Sequence, residues 1–201
     1  EQRSITSRNN VEDRIQHPGI SIQPDIKDDL LAAYCEKHEA VHGTFDHLSQ
    51  EGDIVEALDC YLNKHNLDPE LVSGVGPILD NVSWPQSWKI YRRSAQKLDR
   101  VIISEAFAGI AETGTLAFLR TAANPTSHLF LAEDHVVVLD ARRIVKYQED
   151  LWKLLRTTYE VLPKAVNLIT GPSKTADVEQ TIEYGAHGPC RVHVFVIDSN
   201  L

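Results

Sequence analysis

Apolar positions along this chain change their spacing near its middle. From Lys27 to about Asp46, the residues Leu30, Leu31, Tyr34, Val41 and Phe45 recur near helical spacing, which predicts a helix over that stretch. A second helix is expected from Ile54 to Asn63, followed by a loop and short strand from Leu67 to Gly76. Beyond residue 100 short β-branched runs take over. Val101–Ser104, Thr115–Arg120, His128–Leu131, Val136–Leu139, Val166–Thr170 and Val192–Ile197 read as strands, and Gln148–Leu162 and Thr175–Tyr184 as helices. The run Val101–Ser104, with Asp99 before it and Glu105 after it, is the pattern of a buried strand. Such alternation predicts an α/β fold: an open, mostly parallel sheet flanked by helices, with ligands at the carboxyl ends of the strands. The opening two dozen residues are polar and broken by Pro18 and Pro24, so residues 1–26 read as an N-terminal arm or linker and 27–201 as one domain.

Composition narrows the class. With 201 residues, 42% of them apolar, the chain can bury a sizeable core. A net charge of −9 argues against nucleic acid or an anionic membrane as the main partner, since both demand a concentrated positive surface. No apolar run approaches the roughly 20 residues of a membrane span, and the polar start lacks the apolar segment of a signal peptide, so the chain reads as cytoplasmic. Cys35, Cys60 and Cys190 are isolated, with no C-x-x-C spacing, which disfavours a disulfide framework, a zinc knuckle or an iron–sulfur cluster within this chain. Gly74-Val-Gly76 lacks the third glycine of a dinucleotide fingerprint. His38-Glu-Ala-Val-His42 formally matches a zinc-protease motif, but no third ligand stands in a recognised context, and no metal is expected.

Candidate chemistry concentrates in three segments. Ala165–Ile169 is a β-prone run ending at a Gly171-Pro172 turn, after which Ser173 and Thr175 precede a helix-like stretch containing Asp177 and Glu179. That layout suits an anion held by Ser173, Lys174, Thr175 and the free N–H groups of a helix start, with Asp177 orienting the loop or meeting a ligand hydroxyl. It equally suits an ordinary capped helix. His187, between small residues in Gly185-Ala-His-Gly-Pro189, is either a structural group or a proton donor near neutral pH. Glu112-Thr-Gly-Thr115 has the composition of a tight turn at a strand entry, with Gly114 supplying the backbone freedom.

Together Ala111–Leu116, Leu168–Glu179 and Gly185–Pro189, in this order and spacing, resemble the signature of the lactate-utilisation (LUD) domain family, in its protein C group. The resemblance spans roughly residues 27 to 198. It implies the CoA-transferase-like fold shared with sugar-phosphate isomerases, and a part in a three-component system oxidising L-lactate to pyruvate. In that system iron–sulfur clusters reside on partner subunits, no cofactor is expected in this chain, and a small anionic metabolite is the expected ligand. It also raises Glu112 to a candidate general acid/base or nucleophile beside ligand-binding Thr113, Gly114, Thr115 and Gly171, with His187 and Asp177 as further catalytic candidates. At position 174 the family pattern usually carries arginine. Lys174 keeps the charge without the bidentate fork. An accessory subunit is favoured over a stand-alone enzyme. The other reading is a free-standing acyl, CoA-ester or phosphometabolite enzyme using Glu112.

Overall fold

The structure, a computed structural model, describes residues 23–175 and 183–198. Six strands form an all-parallel sheet in the order β1, β12, β7, β4, β2, β3. These are β1 Thr44–Leu48, β2 Glu70–Ser73, β3 Lys89–Tyr91, β4 Val101–Glu105, β7 Asp134–Asp140 and β12 Arg191–Ile197. A second, mixed sheet has the order β8 (Ile144–Val145), β5 (Ala108–Ile110), β6 (Thr115–Leu119) and β9 (Val166–Ile169). A two-strand ribbon pairs β10, Lys174–Thr175, with β11, Glu183–Tyr184.

Side-chain alternation explains the layering. Along β7, Val136 and Val138 enter one core, together with Ile54, Leu58 and Leu62 of helix α2 (Ile54–Lys64), while Val137 and Leu139 enter the opposite one. That second core also holds Ala33 and Tyr34 of helix α1 (Leu30–Ala40) and Leu116 and Phe118 of β6. The far face of β6 turns Ala117 toward Leu151 and Leu155 of helix α3 (Gln148–Thr158). The layers therefore run α2, large sheet, small sheet with α1, then α3. Each fully buried Leu or Ile of these cores contributes about 2 kcal/mol of hydrophobic stabilisation.

Four elements differ from the sequence reading. The helix expected to run to Asp46 stops at Ala40, because His42 takes a left-handed φ of 69° and Gly43 turns the chain into β1, where Phe45 lies. Gly43 also lies flat against the His38 imidazole, where a Cβ would stand 2.1 Å from Nε2. His128–Leu131 is not a strand. Pro125 starts a 3-10 turn over Thr126–Leu129, and the buried His128 donates from Nε2 to the Arg93 carbonyl at 2.9 Å. Helix α3 ends at Thr158 because Tyr159 is extended, short of the expected Leu162. At Thr175–Tyr184 both described ends are strands of the ribbon, so no helix starts at Thr175. Asp177 and Glu179 lie outside the described residues, as does most of the N-terminal arm.

Candidate functional site

The structure brings two of the motif segments together. Ala111–Gly114 is the hairpin turn between β5 and β6, closed by Gly114 N donating to the Ile110 carbonyl at 2.9 Å. Because β6 and β9 are antiparallel, the start of one meets the end of the other. There Thr115 Oγ1 lies 2.6 Å from Thr113 Oγ1 and 2.7 Å from Thr170 Oγ1, a hydroxyl chain tying the two segments. Both glycines lean on the end of α1. Gly114 (φ 67°) would place a Cβ 2.3 Å from His38 N, and Gly171 (φ 72°) would place one 2.4 Å from the Val41 carbonyl. The Gly114 carbonyl accepts from His38 Nδ1 at 3.1 Å. His38 thus serves packing: burial lowers its pKa, and His42 lies past the helix end, so the two histidines do not share a helical face.

The remaining motif residues have plainer surroundings. Glu112 stands at the start of α3, where its Oε2 accepts from Gln148 N at 3.4 Å, a position that complements the helix dipole. Ser173 commits its backbone to the third segment, donating N–H to the Pro189 carbonyl at 2.9 Å and accepting from Gly185 N at 3.0 Å. Lys174 and His187 are exposed. Among the described residues, no hydrogen bond or ion pair joins Glu112 to Ser173, Lys174 or His187.

A large cavity lies elsewhere, at the carboxyl edge of the parallel sheet. This cleft of about 910 Å³ is walled by the ends of β2 (Val75–Ile78), β4 (Glu105–Phe107), β6 (Leu119–Ala122) and β7 (Asp140–Arg143), and by the segment after α3. None of the described motif residues lines it. The five-residue strand β6 separates the two regions, so Thr115 and Arg120 sit at opposite ends, roughly 16–17 Å apart at strand rise. The strand order reverses between β2 and β4, since the chain leaves β2 outward to β3 and returns to β4 before moving the other way. Clefts at such reversals are the usual ligand sites of open parallel sheets.

Charge organises the cleft. Glu105 ends β4 half-buried, with one carboxylate oxygen accepting from Ile78 N at 2.9 Å and Leu79 N at 3.2 Å. Gly76 admits that carboxylate, for a Cβ there would fall 2.3 Å from Glu105 Oε2. Burial pushes the Glu105 pKa up, partly offset by the two backbone donors. Burial also works to raise Asp140, but hydrogen bonds from Arg142 hold it below the ordinary value. Arg142 is thereby committed, through Nε and Nη2, to the Asp140 carboxylate. Arg120, Arg143 and Lys164 line the same cleft, and none has an ion-pair partner among the described residues. Glu105, Arg120, Arg143 and Lys164 were missed by motif reading. The available signal was their place at or shortly after the ends of predicted strands, or just before one for Lys164.

These features define an α/β protein of the open parallel-sheet class with a cation-bearing cleft at its strand-order reversal. The chain belongs to the LUD domain family, whose model matches residues 30–197. It is 24% identical over 187 residues to a lactate utilization protein C of Shouchella clausii, covering 86% of this chain and 80% of that one. A lactate utilization protein C of Geobacillus thermodenitrificans is 25% identical, covering 85% and 79%. An uncharacterized protein of Neisseria meningitidis is 35% identical over 86 residues, a match of 43% of this chain and 37% of that one. A DUF162 family protein from Deinococcus radiodurans, solved as a crystal structure, shares the fold with a TM-score of 0.64 at 14% identity, covering 87% of this chain and 100% of that chain.

Proposed function

We propose that this chain is a component of an L-lactate utilisation system, binding an anionic metabolite in the carboxyl-edge cleft and leaving electron transfer to partner subunits that carry iron–sulfur clusters. The relatives named lactate utilization protein C, aligned over about four-fifths of their length, support the system. The anion assignment rests on one observation, the three cations Arg120, Arg143 and Lys164 lining the cleft with no carboxylate at ion-pairing distance among the described residues. Arginine forks and a lysine ammonium would neutralise a carboxylate or phosphate there, and Glu105 across the cleft would accept a hydrogen bond from a ligand hydroxyl. No helix among the described residues is long and apolar enough to cross a membrane.

The test is growth on L-lactate, with pyruvate as control, in cells lacking this gene and any second lactate route. Wild type restores growth at equal protein level, and the double variant Arg120→Ala/Lys164→Ala does not. Normal growth without the gene overturns the lactate assignment, and rescue by the double variant overturns the cleft. Glu112→Gln, included as a third arm, restores growth; its failure would move the chemistry from the cleft to the β5–β6 turn.

A further inference from the structure

The cleft is far larger than a three-carbon acid requires. Cavities of about 300–1,000 Å³ enclose ligands of drug size, and this one, at about 910 Å³, stands near the top of that range. We propose that it is built for a phosphorylated ligand carrying a planar ring, of the nucleotide class. This deepens the anion-binding reading above and rests on it for the location of the site.

Charge number is the first argument. Arg120 and Lys164 come from the ends of neighbouring strands, the Arg120 N–H donating to the Ala165 carbonyl at 3.0 Å, and both side chains are exposed. Arg143 brings a third cation with no carboxylate at ion-pairing distance among the described residues, while Arg142 is held by Asp140. Glu51 and Glu105 line the same cleft, and the three cations exceed the carboxyls that Arg142 does not already hold. A phosphate monoester or diphosphate offers two or more charges and the several acceptor oxygens that guanidinium forks match.

Shape is the second. Arg143 lies over the Phe107 ring, its Cζ 5.1 Å from the centroid, and Phe107 in turn packs beside Tyr159 with centroids 5.9 Å apart. Tyr159 is 40% exposed, and the adjoining Val161 and Leu162 are 83% and 55% exposed. An aromatic and guanidinium surface next to an apolar lip, on the same cleft as the cations, is what a planar ring stacks on. Phosphate alone has no use for that lip.

The experiment is calorimetric titration of the purified full chain with ADP, AMP, adenosine, inorganic phosphate and L-lactate. ADP or AMP is expected to bind at least about tenfold more tightly than either inorganic phosphate or adenosine, a gap of about 1.4 kcal/mol. Arg120→Ala/Lys164→Ala should weaken AMP by about tenfold or more, and Tyr159→Ala should weaken AMP while leaving inorganic phosphate unchanged. Unchanged melting temperatures show that the variants fold. No saturable binding of AMP or ADP at millimolar concentration, or equal binding of AMP and inorganic phosphate, or indifference to both variants, overturns the proposal. Failure here with growth on L-lactate still dependent on the gene would sink the nucleotide class alone. Nucleotide binding with normal growth of the deletion strain would instead sink the lactate assignment and leave this inference standing.

Discussion

Replacing Gly114 by alanine tests whether the most conspicuous glycine of the family signature is a packing device or a ligand-approach device. Its φ of 67° lies where a side chain costs about 1–2 kcal/mol. A Cβ would stand 2.3 Å from His38 N, 2.5 Å from Lys37 C and 2.7 Å from His38 Cα. All three are helix backbone atoms, so no rotamer change relieves the overlap and the hairpin must lift off α1. Overpacking of this kind costs about 1–3 kcal/mol. The same movement stretches the 3.1 Å hydrogen bond from His38 Nδ1 to the Gly114 carbonyl, and an unpaired buried donor costs about 1–3 kcal/mol more. The expected loss is therefore about 3–8 kcal/mol out of a total stability of order 5–15 kcal/mol. Urea unfolding followed by tryptophan fluorescence reads it as a fall in midpoint at constant slope. Gly52→Ala is the control. A Cβ there would meet only the Gln50 side chain, at 3.8 Å, and the expected change is within about 0.5 kcal/mol. A Gly114→Ala protein within about 1 kcal/mol of wild type would refute the packing argument and return this turn to ligand binding.

Other consequences concern buried charge. His135 is wholly buried, and neither ring nitrogen reaches a partner among the described residues; burial lowers its pKa to about 3. The unfolded chain takes up that proton first, so the stability is present above pH 6.5 and falls as the pH drops toward 3, by about 2 kcal/mol between pH 7 and 5. His135→Leu should flatten this slope in urea midpoints measured against pH, and an unchanged slope would count against it. His193 is lowered in the same direction by burial and adds to the wild-type slope. Glu105 has the opposite sign. Its raised pKa means stability is lost as the pH rises through the carboxylate range, so Glu105→Gln should raise the melting temperature at pH 7; a fall would show that its contacts with Ile78 and Leu79 outweigh desolvation. Arg191 grips the fully buried Asp134 carboxylate through Nε and Nη2, and Arg191→Ala should cost about 3–5 kcal/mol by urea unfolding, whereas a loss below about 1 kcal/mol would show that Tyr61 alone suffices for Asp134.

The strands of the large sheet were legible because they are buried on both faces. Val101–Ser104, Val136–Leu139 and Val192–Ile197 carry near-continuous β-branched runs that no surface element would show. The overlong first helix was misread for a physical reason. Leu30 and Leu31 of α1 and Phe45 of β1 pack against one core, so the apolar spacing continues across a turn whose only local marker is Gly43. In His128–Leu131 the four residues split, His128 and Leu129 inward and Phe130 and Leu131 outward, a division that an apolar count cannot resolve. The ribbon strands β10 and β11 have two residues each, too short to display any period.

The cleft was harder to foresee because its chemistry is dispersed. Gly76, Glu105, Arg120, Arg143 and Lys164 lie on five separate stretches, and only the strand order brings them to one edge. Glycine spacing drew attention to the opposite end of the small sheet, where Gly114 and Gly171 serve the approach of backbone to backbone. Of the glycines in the predicted motifs and at the cleft, Gly76 is the one whose missing Cβ makes room for a charged group, the Glu105 carboxylate. The two ends are nevertheless mechanically joined. Thr115 and Thr170 tie β6 to β9 at the motif end, and the same two strands present Arg120 and Lys164 at the cleft. A register shift of either strand would turn its side chains to the other face and part the two cations. The signature segments can therefore govern ligand binding without touching a ligand, by holding the register that sets the cation pair.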